Sequence, residues 1–253
     1  MYQICLITAA AKRALQGWSE FSYIPQRFEA RVEFRFLPEK KLFGTRVHTA
    51  KNVPAWYEHC SRKRLQDIVM NIPISVDDLG SLGFSSPTEG SIVCFYEGAR
   101  ATSFSSRWEP DPAGIKWNAF YTEHEWAGNT AKKPHFVNNS DSFRSVLCQV
   151  REFAHLIDFD EFAVTFDNAL SILSGSPSFK ESIYDVPLPE LPEYNLQILK
   201  AAITADVFGA MGSWNDSPPF VAREKGLHSQ YESLSRELLR QVRLAYLYAM
   251  NEW

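Results

Sequence analysis

Cysteine is scarce in this chain. The 253 residues hold four, Cys5, Cys60, Cys94 and Cys148, separated by 55, 34 and 54 residues and never arranged as CxxC. That spacing fits neither a zinc ribbon nor a secreted disulfide framework, and each cysteine reads as a reduced, buried, structural thiol. Glycine is also sparse, at 12. Neither GxGxxG nor GxxxxGK occurs, so the common phosphate-cradling loops are absent and no nucleotide cofactor is expected. There is no GxSxG elbow, no HExxH and no HxE…PCxxC pattern, which disfavours α/β-hydrolases, zincins and zinc deaminases. No metal is expected.

Long apolar runs are missing as well. Nothing approaches the roughly 20 residues needed to span a bilayer. The short run from Ile4 to Ala11 is followed by Lys12 and Arg13, the reverse of the charge-first order of a secretory signal. The expectation is a soluble, cytoplasmic protein with no membrane partner, its N-terminus starting a strand or helix.

What is present is ordinary globular material: 45% hydrophobic, 22% charged and 14% aromatic residues. Length gives one or two domains, with enough apolar residues for a core. The net charge of −4 is small but unevenly spread. Residues 12–64 carry 12 basic against 5 acidic side chains, or +7; residues 152–193 carry 1 against 9, or −8. Facing or solvated surfaces explain this most simply, and recruitment of an oppositely charged partner is the sharper reading. Arg62, Lys63 and Arg64 are consecutive and would spread around a helix rather than form a stripe. With a pI near 5.9, nucleic-acid binding is disfavoured.

Along the chain, Phe28, Ala30, Val32, Phe34 and Phe36 alternate with Glu29, Arg31, Glu33 and Arg35. That period of two predicts a strand with one buried and one charged face. Pro54 opens a helix carrying Trp56, Tyr57, Cys60, Leu65, Ile68 and Val69. A three-stranded meander over about 91–122 follows, paired with the first strand. From Ser140 the pattern turns helical, with stripes Phe143 to Ile157 and Phe159 to Leu173. Asp158 and Asp160 begin the second of these, where acids meet the positive end of the helix dipole. Pro177, Pro187, Pro189 and Pro192 enforce an extended stretch, and two further helices run over about 196–210 and from about 227 to the end.

Strands first and helices after predict an α+β fold: a mostly antiparallel sheet with one or two helices, then a four-helix C-terminal half packed on it. The expected division is a mixed α/β region 1–130 and a helical region 131–253, a single packed unit being slightly preferred.

Two segments stand out chemically. Glu123, His124 and Glu125, before Trp126, form the densest polar cluster at a strand end. Strand geometry puts the two carboxylates on one face and the imidazole on the other. The connection Gly209–Pro219 is long for a helix–helix link, and it holds Trp214, Asn215 and Asp216. An indole beside an amide and a carboxylate suits recognition of a protein surface, and the expectation is that these three point outward. Without a catalytic motif or cofactor loop, the leading expectation is a non-catalytic soluble protein-binding module of inhibitor, immunity or adaptor type, its partner another protein. The alternative is a hydrolase or transferase whose site is assembled from distant residues such as Glu123, His124 and Asp216.

Overall fold

A computed structural model describes residues 1–41, 44–75, 79, 90–175, 188–209 and 211–253. The elements in order are α1 (Tyr2–Leu15), β1 (Glu29–Arg35), β2 (Glu39–Lys41), β3 (Gly44–Arg46), β4 (Thr49–Ala50), α2 (Val53–Arg62), β5 (Leu65–Asn71), β6 (Ser91–Tyr96), β7 (Arg100–Pro110) and β8 (Trp117–Glu125), then α3 (Ser140–Leu156), α4 (Asp160–Leu173), α5 (Glu193–Ala205), α6 (Pro218–Glu224) and α7 (His228–Asn251). The fold is α+β. No described helix is long and apolar enough to cross a membrane. The chain divides into two compact units: Met1–Ile72, Pro87–Pro134 and Val186–Glu190 form the sheet unit, and Pro73–Ser86, His135–Asp185 and Leu191–Trp253 the helical unit.

In the sheet unit, six strands run in the order β4-β1-β8-β7-β6-β5, and β2 and β3 form a separate hairpin. Strands β5 to β8 make an antiparallel meander. The sheet is mixed because β1 lies parallel to β8, so α2 and the meander form the crossover that a parallel pair requires. Phe34 is the hub of the core. It stacks on Tyr121 at 4.6 Å and on Trp56 of α2 at 4.9 Å, and meets Phe104 edge-on at 5.9 Å.

The alternation of β1 holds from Val32 onward, where Val32, Phe34 and Phe36 are buried. It fails before that. Register shifts between Glu29 and Arg31, and such a bulge flips every side chain upstream of it. Glu29, expected on the charged face, is therefore buried at 6% exposure, while Ala30 is exposed. The helix expected to run through Val69 also stops early. Asn52 caps its start, accepting from the Ala55 amide at 2.8 Å. Arg64, in a left-handed conformation (φ 62°), turns the chain just past its end, so Leu65, Ile68 and Val69 belong to β5.

The helical unit has four long helices, α3, α4, α5 and α7, with the short α6 between the last two. Ser140 is the first helical residue of α3 rather than its cap; Asn139 takes that place. Most of the proline-rich stretch, 176–187, lies outside the described residues.

Candidate functional site

The connection between α5 and α6 does not present its indole. Trp214 is 0% exposed, surrounded by Phe162 at 5.2 Å, Phe166 at 5.5 Å, Tyr231 at 5.6 Å and Phe153 at 6.4 Å. Its indole N–H donates to Ser235 Oγ at 2.8 Å, and its carbonyl accepts from the Tyr231 hydroxyl at 2.8 Å. The expectation of an outward Trp214 is thus corrected: residues of α3, α4 and α7 close on the largest side chain of the link, and burial of that ring outweighs its display. Asn215 is buried too. Its amide grips Gly209, donating to the carbonyl and accepting from the N–H, both at 2.9 Å, and accepts from Ser213 Oγ. Asp216 accepts from the Gly212 amide at 2.8 Å. The polar groups of this loop therefore satisfy its own backbone, as a long connection requires.

The other cluster lines a cavity. Its strand, β8, carries Glu123 and Glu125 on one face and the exposed His124 on the other, where Ser105 Oγ lies 3.0 Å from the ring. Glu123 and Glu125 border an open cleft of about 630 Å³ together with Leu37, Pro38, Glu39, Lys63, Arg100, Thr102 and Trp126. Glu123 is 3% exposed. Its two oxygens accept from Thr102 Oγ1 at 2.8 Å and from the Leu37 amide at 2.7 Å. No cation lies within ion-pair distance of it among the described residues. Glu125 is exposed. Lys63 pairs with Glu39 at 2.7 Å, and the Arg100 guanidinium sits 4.9 Å above the Tyr96 ring. The Trp126 ring is held by Gly128, where an added Cβ would fall 2.5 Å from the indole nitrogen.

Behind this wall, strand end and helix end meet through aromatic rings. His48 and His59 stack face to face at 4.0 Å, and Phe36 lies 4.2 Å from His59. Burial, aided by the charge of Lys63 and by His48, pushes His59 down to about 4. Its Nε2 is buried without a hydrogen-bond partner. These residues carried no sequence signal. His48 and His59 are eleven positions apart across a turn and a helix, and only folding stacks them. Lys63 and Arg100 were legible as charges, not as neighbours.

Several catalytic chemistries find no support here. Burial raises Cys5 to about 12 and Cys94 well above its ordinary value, so both thiols stay protonated at neutral pH. Among the described residues no three His, Cys, Asp or Glu side chains gather as a metal site. His124 faces away from Glu123 on β8, and Asp216 is tied into its own loop. Several charges of the acidic and basic stretches are paired locally. In the acidic stretch, Arg151 pairs with Asp167 at 2.9 Å, Lys225 with Asp158 at 2.5 Å and His155 with Asp160 at 2.6 Å. In the basic stretch, Arg62 pairs with Glu58 and Arg64 with Glu97. Comparison of the chain with protein-family models, with curated proteins and with solved structures finds no match.

Proposed function

We propose that this chain is a non-catalytic, soluble, cytoplasmic protein-binding module, and that the cleft beside β8 receives a positively charged side chain of its partner. One observation carries the reading: the wall of an open cleft contains a carboxylate, Glu123, that is 3% exposed and held only by neutral donors. Burying a carboxylate without a cation costs several kcal/mol in general. An arriving ammonium or guanidinium would offset that cost, with Glu125 at the rim and the Trp126 ring beside it as further attraction. The two hydrogen bonds fix the carboxylate in advance, which lowers the entropic cost of recognition.

The test is affinity capture with the full chain at neutral pH, comparing wild type with Glu123→Gln and with Trp126→Ala. Both variants should release a partner that wild type retains, and rising salt should weaken the wild-type complex. A partner held equally by wild type and both variants overturns the assignment of this cleft.

A further inference from the structure

We propose that the stacked imidazoles of His48 and His59 are a proton-sensitive latch on the cleft wall, holding the segment Phe36–Glu39 in its binding shape at neutral pH and releasing it on acidification. This rests on the reading of the cleft given above and names the regulation of that site.

The segment touches the latch on one side and the cleft on the other. The Phe36 amide donates to the His48 carbonyl at 3.0 Å, and its ring packs on both imidazoles, 4.2 Å from His59 and 5.3 Å from His48. The next residue, Leu37, gives its amide to Glu123. Glu39 then pairs with Lys63, and both line the cleft. Four consecutive residues therefore connect the imidazole stack to the buried carboxylate and to the rim.

A proton on His59 disrupts this arrangement. Its Nε2 is buried and has no acceptor, so the N–H that the charged ring carries there would be unsatisfied. The new charge would lie against His48 on the β3–β4 turn and Lys63 and Arg62 at the end of α2, with Glu39 of β2 opposing them. Two stacked rings cannot readily hold a charge beside a lysine. The state that accepts the proton is one in which the rings have parted, where His59 titrates as an ordinary histidine near 6.5. Between pH 7 and pH 5.5, the linkage between about 4 in the stacked form and about 6.5 in the parted form raises the parted population roughly eightfold.

The experiment follows the Trp126 indole N–H and the His59 ring by NMR in the full chain between pH 7 and pH 5.5, with Nα-acetyl-lysine methylamide as the cleft probe. In wild type the Trp126 resonance should shift, and the probe should bind more weakly at pH 5.5. In His59→Phe, which keeps an aromatic ring but cannot titrate, both responses should vanish. An unmoved Trp126 resonance in wild type, or the same shift in His59→Phe, overturns the latch. Should His59→Phe not fold, the wild-type ring decides: an ordinary titration of His59 near 6.5 with Trp126 silent overturns it. A probe that fails to bind at pH 7 while Trp126 still follows His59 counts against the cation reading of the cleft and leaves the latch standing. Binding that is lost in Glu123→Gln but indifferent to pH in wild type does the opposite.

Discussion

Two polar sites, one in each unit, are satisfied in opposite ways. In the helical unit, Trp214, Asn215 and Asp216 satisfy one another's surroundings, closing the α5–α6 link on itself around an aromatic core. In the sheet unit, two carboxylates are buried with neutral donors only. Glu29 accepts from Gln3 at 2.8 Å and Tyr23 at 2.6 Å through one oxygen, while its other oxygen is buried without a partner. Glu123, in the wall of a cleft, is also held by neutral donors, one on each oxygen. Internally satisfied polar groups stabilise a fold, whereas buried charge left without a counter-charge is costly and points to a role beyond stability. The more conspicuous sequence motif buries its indole, and the less conspicuous one lines the cavity.

The comparison is broken most forcefully at its cores. Trp214→Ala should lower the stability of the helical unit by about 3–5 kcal/mol, and Phe34→Ala should do the same in the sheet unit. Denaturant unfolding of the full chain measures both. Partner capture that survives in Trp214→Ala protein, below its unfolding midpoint, would confirm that this loop contributes packing alone. A Trp214→Ala chain of unchanged midpoint would return the indole to the surface.

Acid should then separate the units. Burial raises Asp206 to about 6, with the charge of Arg243 opposing it, so the folded helical unit holds a proton that the unfolded chain releases at lower pH. The resulting stabilisation is present below the ordinary aspartate value near 3.9 and is lost as pH rises through about 6. His59 has the opposite sign. Its depressed value means that the folded sheet unit resists protonation, and stability is lost as pH falls from about 6.5 toward 4. Hydrogen exchange at pH 7 and pH 5, resolved by residue, should show protection rising in α5 and α7 and falling around α2 and β1. Asp206→Asn should remove the first trend and stabilise the chain at pH 7 by about 1 kcal/mol. Parallel changes in both units would refute the contrast.

Smaller again is the effect of Gly128→Ala. The added methyl would press on the Trp126 indole, costing about 1 kcal/mol and shifting the cleft wall. An unchanged Trp126 fluorescence would show that Gly128 does not hold that ring. The smallest effect belongs to His124→Ala. This side chain is exposed and faces away from the cleft, so stability should change by less than about 0.5 kcal/mol and binding not at all. A loss of binding in His124→Ala would move the site to the other face of β8.

Much of the fold was legible because periodicity survives in the sequence. The last three strands of the meander, the buried stripe of Val32, Phe34 and Phe36, and the α3, α4 and α7 stripes follow from side-chain spacing and turn residues. The exceptions are local backbone events with no periodic mark. A bulge buries Glu29, and a single left-handed residue, Arg64, ends α2 and starts β5. The candidate site was half visible. Strand parity alone places Glu123 and Glu125 together and His124 opposite, but not whether that face lines a cavity or open solvent.

By itself, the sequence determined that strands come mostly first and helices after, the lack of the usual nucleotide and metal motifs, and which residues are apolar enough to be inside. These are local properties, written in composition and period. Only the tertiary structure decided that Trp214 belongs to a core, that β1 runs parallel beside β8, and that residues 36–39 join a histidine stack to a buried carboxylate. Those outcomes depend on contacts between residues far apart in the chain, such as Leu37 and Glu123, 86 positions apart. Their energies come from burial and charge in a shared space that no single stretch of chain encodes.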